Sequence, residues 1–301
     1  MQTKLDIFIF SHNRGLWLRN LLNSIRQGID ANIDSRLVIL DDKSTETATL
    51  EVLEEAKREG IRVVHRVSNS AADSGPRGGL HEGIAFALRD LARPNSLALL
   101  LQDDMQIVRK VANDELEKIR QIGRQTTNPF TYVNFWTQGI SYRRSCMHLK
   151  DSYYQKFSPK EQRYRAYTDV CLVDIEVFRA ANFDIQNSEK LTDEKAYAQF
   201  GEMPWYPFPF TAMLPEPIIH WKRNAFGDQV HSFAPMTTEA VQDLFLRDLE
   251  AVLPVAESFL ALENGAVLPT PWKYEARPSK LAKITGKLNA IRNGFRFRPK
   301  Y

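Results

Sequence analysis

Two adjacent aspartates, Asp103 and Asp104, follow directly on the apolar run at 97–101 and Gln102. Carboxylates placed where a buried strand leaves the core are costly unless a cation neutralises them. A hard divalent cation such as Mg²⁺ or Mn²⁺ suits that donor set, since it takes one or two carboxylates and completes its shell with diphosphate oxygens. A metal held in this way stabilises a departing diphosphate. The competing reading makes both residues solvated turn aspartates that cap the next helix. Asp41-Asp42 ends a second apolar run, at 37–40, and Ser11-His12-Asn13-Arg14 ends a first, at 5–10. An aspartate on such a rim can accept from a base N–H or a ribose hydroxyl; in the plainer alternative Asp42 and Ser44 are turn and cap residues.

An open sheet covered by helices would bring these three strand ends to one edge. Leu18, Leu21, Leu22 and Ile25 follow the first run at the i, i+3, i+4, i+7 spacing of one helix face. Val52, Leu53 and Ala56 mark a second helix, Gly60 its stop, and residues 61–65 a third strand. The glycine-rich stretch Ser74-Gly75-Pro76-Arg77-Gly78-Gly79 opens a helix whose inner face is Ile84, Ala87, Leu88 and Leu91. This alternation predicts an α/β fold with ligands outside the carboxyl ends of its strands. Beyond about residue 130 the pattern loosens: 131–135 and 170–173 are strand-like, and 203–210 is aromatic and proline-rich, as expected of acceptor-side structure. Val241, Leu244, Phe245, Leu249 and Val252 predict a C-terminal helix that Pro254 ends or kinks. After Pro269 and Pro271, Leu281, Ile284, Leu288 and Ile291 line one side of a basic amphipathic helix.

The 301 residues suffice for one large core without disulfides or structural metals, and 43% hydrophobic with 26% charged residues is an ordinary globular composition. Cys146 and Cys171, the two cysteines, have no CxxC spacing, so neither a disulfide framework nor a zinc cluster is expected. No charged-then-apolar leader opens the chain, and the run at 97–101 is too short to cross a bilayer. A cytoplasmic protein, soluble or peripheral at the inner face of the membrane, is the expectation. The net charge of +3 is uneven: residues 277–301 carry eight Lys or Arg and no acid, which leaves −5 on the rest. Such a tail suits an anionic membrane surface, although a solvated helix accounts for it equally. With no nucleic-acid module beside the charge, nucleic acid is not an expected partner.

Taken together, Asp6-Ile7-Phe8-Ile9-Phe10-Ser11-His12-Asn13-Arg14, Val38-Ile39-Leu40-Asp41-Asp42-Lys43-Ser44, Leu100-Leu101-Gln102-Asp103-Asp104 and Gly79-Leu80-His81-Glu82-Gly83-Ile84 resemble, in order and spacing, the nucleotide-sugar half of glycosyltransferase family 2. The resemblance spans about residues 5–220. It implies a GT-A, Rossmann-like nucleotide-binding sheet flanked by helices. The domain would cover 1–235, with a nucleotide-sugar half at about 1–110 and an acceptor half at about 111–235, followed by C-terminal helices and the basic tail at 236–301. By the same resemblance Asp42 recognises the base, Asp103 meets ribose or metal, and Asp104 coordinates Mn²⁺ or Mg²⁺. Ser11, His12 and Arg14 line the nucleotide site, and Arg77 meets uracil or phosphate of a nucleoside-diphosphate sugar, UDP-linked by expectation. Gln102 departs from the acid that many relatives carry there; a glutamine still hydrogen-bonds a hydroxyl.

Phe178 to Asp184, followed by Leu191-Thr192-Asp193-Glu194, resembles the family's Gly-Phe-Asp segment leading into an acidic pair at the start of a helix, whose second acid is the catalytic base. Inverting transfer needs a carboxylate to take the proton of the acceptor hydroxyl. Glu194, or Asp193 beside it, fills that role; the helix dipole alone also explains two acids at a helix start. His220 lies where several GT-A enzymes place a metal- or diphosphate-binding histidine, with His231 the alternative. Trp136, Trp205, Tyr206, Phe208 and Phe210 stack sugar or, more simply, pack the core; Tyr142, Arg143 and Arg144 meet an anionic acceptor or solvent. The implied reaction is sugar transfer to a glycan or lipid-linked glycan, as in polysaccharide biosynthesis. A sugar nucleotidyltransferase and a non-catalytic glycan-binding relative are the alternatives, the former poorly served by Ser11-His12-Asn13-Arg14-Gly15 as a phosphate loop.

Overall fold

The computed structural model describes residues 2–65, 79–135, 147–150, 152–156 and 171–213, and four two-residue strands beyond them. The chain opens with β1 (Lys4–Ser11), α1 (Gly15–Gly28), β2 (Asp34–Asp41), α2 (Thr47–Arg58) and β3 (Arg62–His65). Next come α3 (Leu80–Phe86), which runs on through a wider turn at Ala87–Leu91, then β4 (Ser96–Gln102), β5 (Met105–Ile107) and α4 (Asn113–Thr126). Strands β6 (Phe130–Tyr132), β7 (Asn134–Phe135), β8 (Met147–Lys150), β9 (Tyr153–Lys156) and β10 (Cys171–Asp174) precede α5 (Ile175–Ala180), α6 (Glu189–Phe200) and β11 (Thr211–Met213).

The main sheet has the order β3-β2-β1-β4-β10-β6. Its first four strands are parallel, with Phe8 between Val38 and Leu100, and β10 runs antiparallel to both β4 and β6. Alternation along the strands splits the core into two layers. Phe8, Phe10, Val38, Leu40, Ala98 and Leu100 pack with Ile84, Leu88 and Leu91 of the α3 segment and with Phe178 and Phe183. On the opposite face Leu5, Ile7, Ile9, Ile39, Leu97, Leu99 and Leu101 pack with Leu18, Leu21 and Leu22 of α1, Val52 and Leu53 of α2, and Leu116, Ile119 and Ile122 of α4. Both faces are therefore covered, as buried parallel strands require. This is the α/β sheet expected from the sequence.

A second sheet, β5-β11-β7, lies beyond the end of β4, with Thr211 opposite Ile107. Arg109 anchors it: the guanidinium binds Glu115 and the carbonyls of Phe208 and Pro209. The aromatic stretch is mostly packing. Trp205, Tyr206 and Phe210 are buried, and Trp205 lies 4.0 Å, centroid to centroid, from the Tyr132 ring. Trp136, Tyr142, Arg143, Arg144, the helix around Val241 and the basic tail lie outside the described residues.

Candidate active site

Three loops at the carboxyl ends of β1, β2 and β4 form one polar rim, and backbone geometry ties them together. Asp42 N–H donates to the Ser11 carbonyl (2.9 Å), and Asp103 N–H to the Phe10 carbonyl (3.1 Å). Asn13 sits in the left-handed region at φ 50, which asparagine tolerates, and its Oδ1 accepts from Thr45 N–H (2.7 Å) and Glu46 N–H (3.0 Å). Its own N–H donates to Ser44 Oγ (2.9 Å). Glu46 answers by accepting from Gly15 N–H (3.1 Å) at the start of α1. Gly15 is required there, because a Cβ would come within 2.4 Å of the Ala48 carbonyl carbon.

His12 is exposed on this rim, with Nδ1 donating to the Asp42 carbonyl (2.6 Å) and Nε2 3.2 Å from the Asn13 amide nitrogen. Facing a carbonyl, Nδ1 carries a proton. Asp42 is half-buried, and its Oδ2 accepts from Gly79 N–H (2.9 Å), so one carboxylate joins the second loop to the start of α3. Ser11 is buried, at 4% exposure. Asp41, 1% exposed, points inward: Oδ2 takes Ser44 N–H (3.2 Å) and lies 3.3 Å from His65 Nδ1, while Oδ1 is buried without a hydrogen-bond partner.

Asp103 and Asp104 are buried, at 4% and 3% exposure, rather than solvated turn residues. Asp103 accepts from His12 N–H at Oδ2 (3.0 Å) and from Arg14 Nη1 at Oδ1 (3.2 Å). Asp104 accepts from the same Arg14 nitrogen at Oδ2 (2.7 Å), and its Oδ1 is buried without a partner. Burial first, and the neighbouring Asp104 charge second, push the Asp103 carboxyl up to about 7 against the pull of Arg14 and the His12 amide. Among the described residues one guanidinium thus serves two carboxylates and leaves Asp104 Oδ1 without a hydrogen-bond partner.

A divalent cation fits this donor set: the oxygens are hard, adjacent and short of positive charge. Among the described residues no group of three His, Cys, Asp or Glu side chains converges. Asp103 and Asp104 would supply the protein's share of the ligands, and a donor diphosphate, water or residues elsewhere the rest. His220, His231 and Arg77 lie outside the described residues.

The acidic pair of α6 is placed differently from expectation. Ser188 caps the helix, its side chain accepting from Leu191 N–H, so that Glu189 occupies the first turn and Asp193 and Glu194 the second. The pair is therefore not at the helix start, and the dipole explanation for it lapses. Thr192 is buried and its Oγ1 accepts from Gln186 N–H (2.9 Å), which pins the preceding loop. Asp193 is partly exposed; Glu194 is exposed and 3.8 Å from Lys190 on its own helix. No hydrogen bond among the described residues joins Glu194 to the rim.

Sequence reasoning grouped Ser11, His12, Arg14, Asp42, Asp103 and Asp104, and the fold brings all six to one rim. It did not foresee that Arg14 would be the cation on the aspartate pair, nor the interlocking role of Asn13 and Glu46. An asparagine just past a strand, before a Ser-Thr-Glu turn, was the available signal for the second.

Residues 6–187 match the model of the family described as Glycosyl transferase family 2. No curated protein matches the chain. Among solved structures it is similar to S. aureus TarS 1–349, at 15% identity over 70% of this chain and 60% of that one, with a TM-score of 0.47. The same protein in complex with UDP-GlcNAc gives 14% identity over 72% and 60%, with a TM-score of 0.49. GalNAc-T7 with UDP, GalNAc and Mn²⁺ gives 12% over 73% and 45%, again at 0.49. The chain thus spans about 60% of the length of TarS 1–349 and less than half of the GalNAc-T7 chain.

Proposed function

The chain belongs to glycosyl transferase family 2, and from that premise we propose that it transfers a sugar, with inversion, from a nucleoside-diphosphate sugar to a glycan or lipid-linked glycan hydroxyl, using Mn²⁺ or Mg²⁺. The observation that carries the reading is the buried Asp103–Asp104 pair, under-neutralised at the carboxyl edge of a parallel sheet. Ligands of open α/β sheets sit at that edge.

In this reading Asp42 and Ser11 face the base and ribose, His12 shapes the loop between them, and Arg14 meets the diphosphate. UDP is the first nucleotide to try. Asp104 and Asp103 hold the metal, which when bound offsets the charge that develops on the leaving diphosphate. Glu194, or Asp193 beside it, accepts the proton of the acceptor hydroxyl as its oxygen bonds to the anomeric carbon and the bond from that carbon to the diphosphate oxygen breaks. Arg77 is assigned to uracil or phosphate and His220 to the metal or diphosphate. No helix among the described residues is long and apolar enough to cross a membrane; the basic stretch at 277–301 supports docking on an anionic membrane that carries the acceptor.

A thermal-shift panel of nucleoside diphosphates with Mn²⁺, Mg²⁺ or EDTA tests the donor site. A ligand at about 100 times its Kd adds roughly 2.7 kcal/mol, and the shift should require metal and vanish in Asp104→Ala. Glu194→Ala should keep the shift while transfer falls about 10²- to 10⁴-fold. Full transfer by either variant would remove that residue's assignment.

A further inference from the structure

The charge around the aspartate pair is incomplete in a specific way. Both carboxylates are buried, one Arg14 nitrogen bridges them at 3.2 and 2.7 Å, and Asp104 Oδ1 has no partner. Among the described residues one positive charge faces two potential negative charges. The Arg14 backbone is fixed, since its carbonyl accepts from Leu18 N–H (2.9 Å) at the first turn of α1. Its side chain is nevertheless 29% exposed, against 6% and 4% for the two aspartates it pairs with. An anchored stem with a solvent-reachable head can exchange partners without disturbing α1.

We infer that Arg14 is a resident counter-cation for the metal carboxylates, which a divalent ion must displace and which the donor's diphosphate then receives. The inference rests on the metal-dependent donor reading above. With Arg14 on Asp103 and Asp104, an incoming ion meets a like charge at contact distance and finds Asp104 Oδ1 as the unpartnered oxygen of the pair. Once the ion holds both carboxylates, the guanidinium is displaced from them, and a diphosphate at the same rim is an acceptor of the bidentate geometry that guanidinium favours. Metal and nucleotide are then coupled through one side chain, and the coupling is reciprocal. Arg14 is thus a positioning residue in the empty site and a diphosphate ligand in the loaded one, which keeps the bare protein from trapping metal without donor.

Binding of Mn²⁺, followed by electron paramagnetic resonance of the free ion, tests this in the wild type, Arg14→Gln and Arg14→Lys, each with and without UDP. Loss of the competing charge should tighten Mn²⁺ alone by about tenfold or more in Arg14→Gln and shrink the further tightening by UDP, a coupling of ordinary size being about 5- to 150-fold. Arg14→Lys, which keeps a cation, should stay near the wild type and shows that the change is one of charge rather than of folding. Mn²⁺ affinity in Arg14→Gln equal to or weaker than the wild type would overturn the inference. Absence of Mn²⁺ binding in every protein would overturn it too, and UDP binding measured in EDTA then separates that failure from failure of the transferase reading, which needs the nucleotide to bind.

Discussion

Strand β1 meets buried carboxylates at both ends, and the two ends are furnished in opposite ways. Near its start Asp6 is fully buried, and four donors reach it: Oδ1 takes Arg36 Nε (2.9 Å) and Arg93 Nε (2.8 Å), and Oδ2 takes Arg93 N–H (2.6 Å) and Ser96 Oγ (3.0 Å). Arg93 is tied down in turn by Asp34 Oδ1 and the Asp34 carbonyl, both at 2.8 Å. Two guanidinia therefore serve one carboxylate. At the far end one guanidinium serves two, and an oxygen of Asp104 is left without a partner. Burial is equal; satisfaction is not. A buried charge that is fully paired holds structure, whereas one left short of positive charge is kept at a cost and marks a candidate binding site.

Substitution should separate the two ends. Asp6→Ala leaves Arg36 and Arg93 without their shared acceptor and should lower stability by about 3–5 kcal/mol, read as a fall in urea midpoint. Asp104→Asn should move that midpoint by less than about 1 kcal/mol while eliminating metal-dependent donor binding, the usual trade between stability and function. If Asp104→Asn proved as destabilising as Asp6→Ala, the pair would be a structural network and the contrast would collapse. A smaller effect is expected where the loops after β1 and β2 touch. Gly15→Ala places a methyl against the Ala48 backbone and should cost about 1–3 kcal/mol. The spreading of α1 from α2 should weaken nucleoside-diphosphate binding along with it; unchanged binding would mean that the interlock of Asn13, Ser44 and Glu46 does not shape the site.

The two ends were not equally readable from sequence. Strands β1, β2 and β4 and helices α1 and α2 declare themselves because their apolar runs and helical spacings are dense and bounded. Asp103 and Asp104 stand out because they abut such a run. Helix α4 escaped: its inner face is Leu116, Ile119 and Ile122, diluted by Glu115, Glu117, Lys118, Arg120 and Arg124, and Ala112 at its start makes no side-chain cap. Register was lost in α6, where Ser188 sets the first turn four residues earlier than the acidic pair suggests. The cation on the pair was beyond local pattern altogether, since Arg14 reaches across 89 and 90 positions of sequence to Asp103 and Asp104. A pair of acids announces that positive charge is needed, and only the fold says which group supplies it.

The smallest expected effect, per unit of its variable, is in pH. Folding raises the Asp103 carboxyl from an ordinary 3.8 to about 7, burial being the larger cause and Asp104 the next. Between those values the folded protein holds a proton that the unfolded chain has released. Stability linked to Asp103 is therefore fully present below the unfolded value and is lost as pH rises through the window toward 7, at no more than about 1.4 kcal/mol per pH unit. Asp104→Asn removes the second cause and should flatten the slope, which urea midpoints between pH 4.5 and 7.5 would show as a difference between the two proteins. Saturating Mn²⁺ should flatten it as well, because a cation on the pair favours the ionised form in the fold. Identical slopes for the wild type and Asp104→Asn would mean that the neighbouring charge does not bear on Asp103, and that the carboxyl edge is better neutralised than its contacts with Arg14 imply.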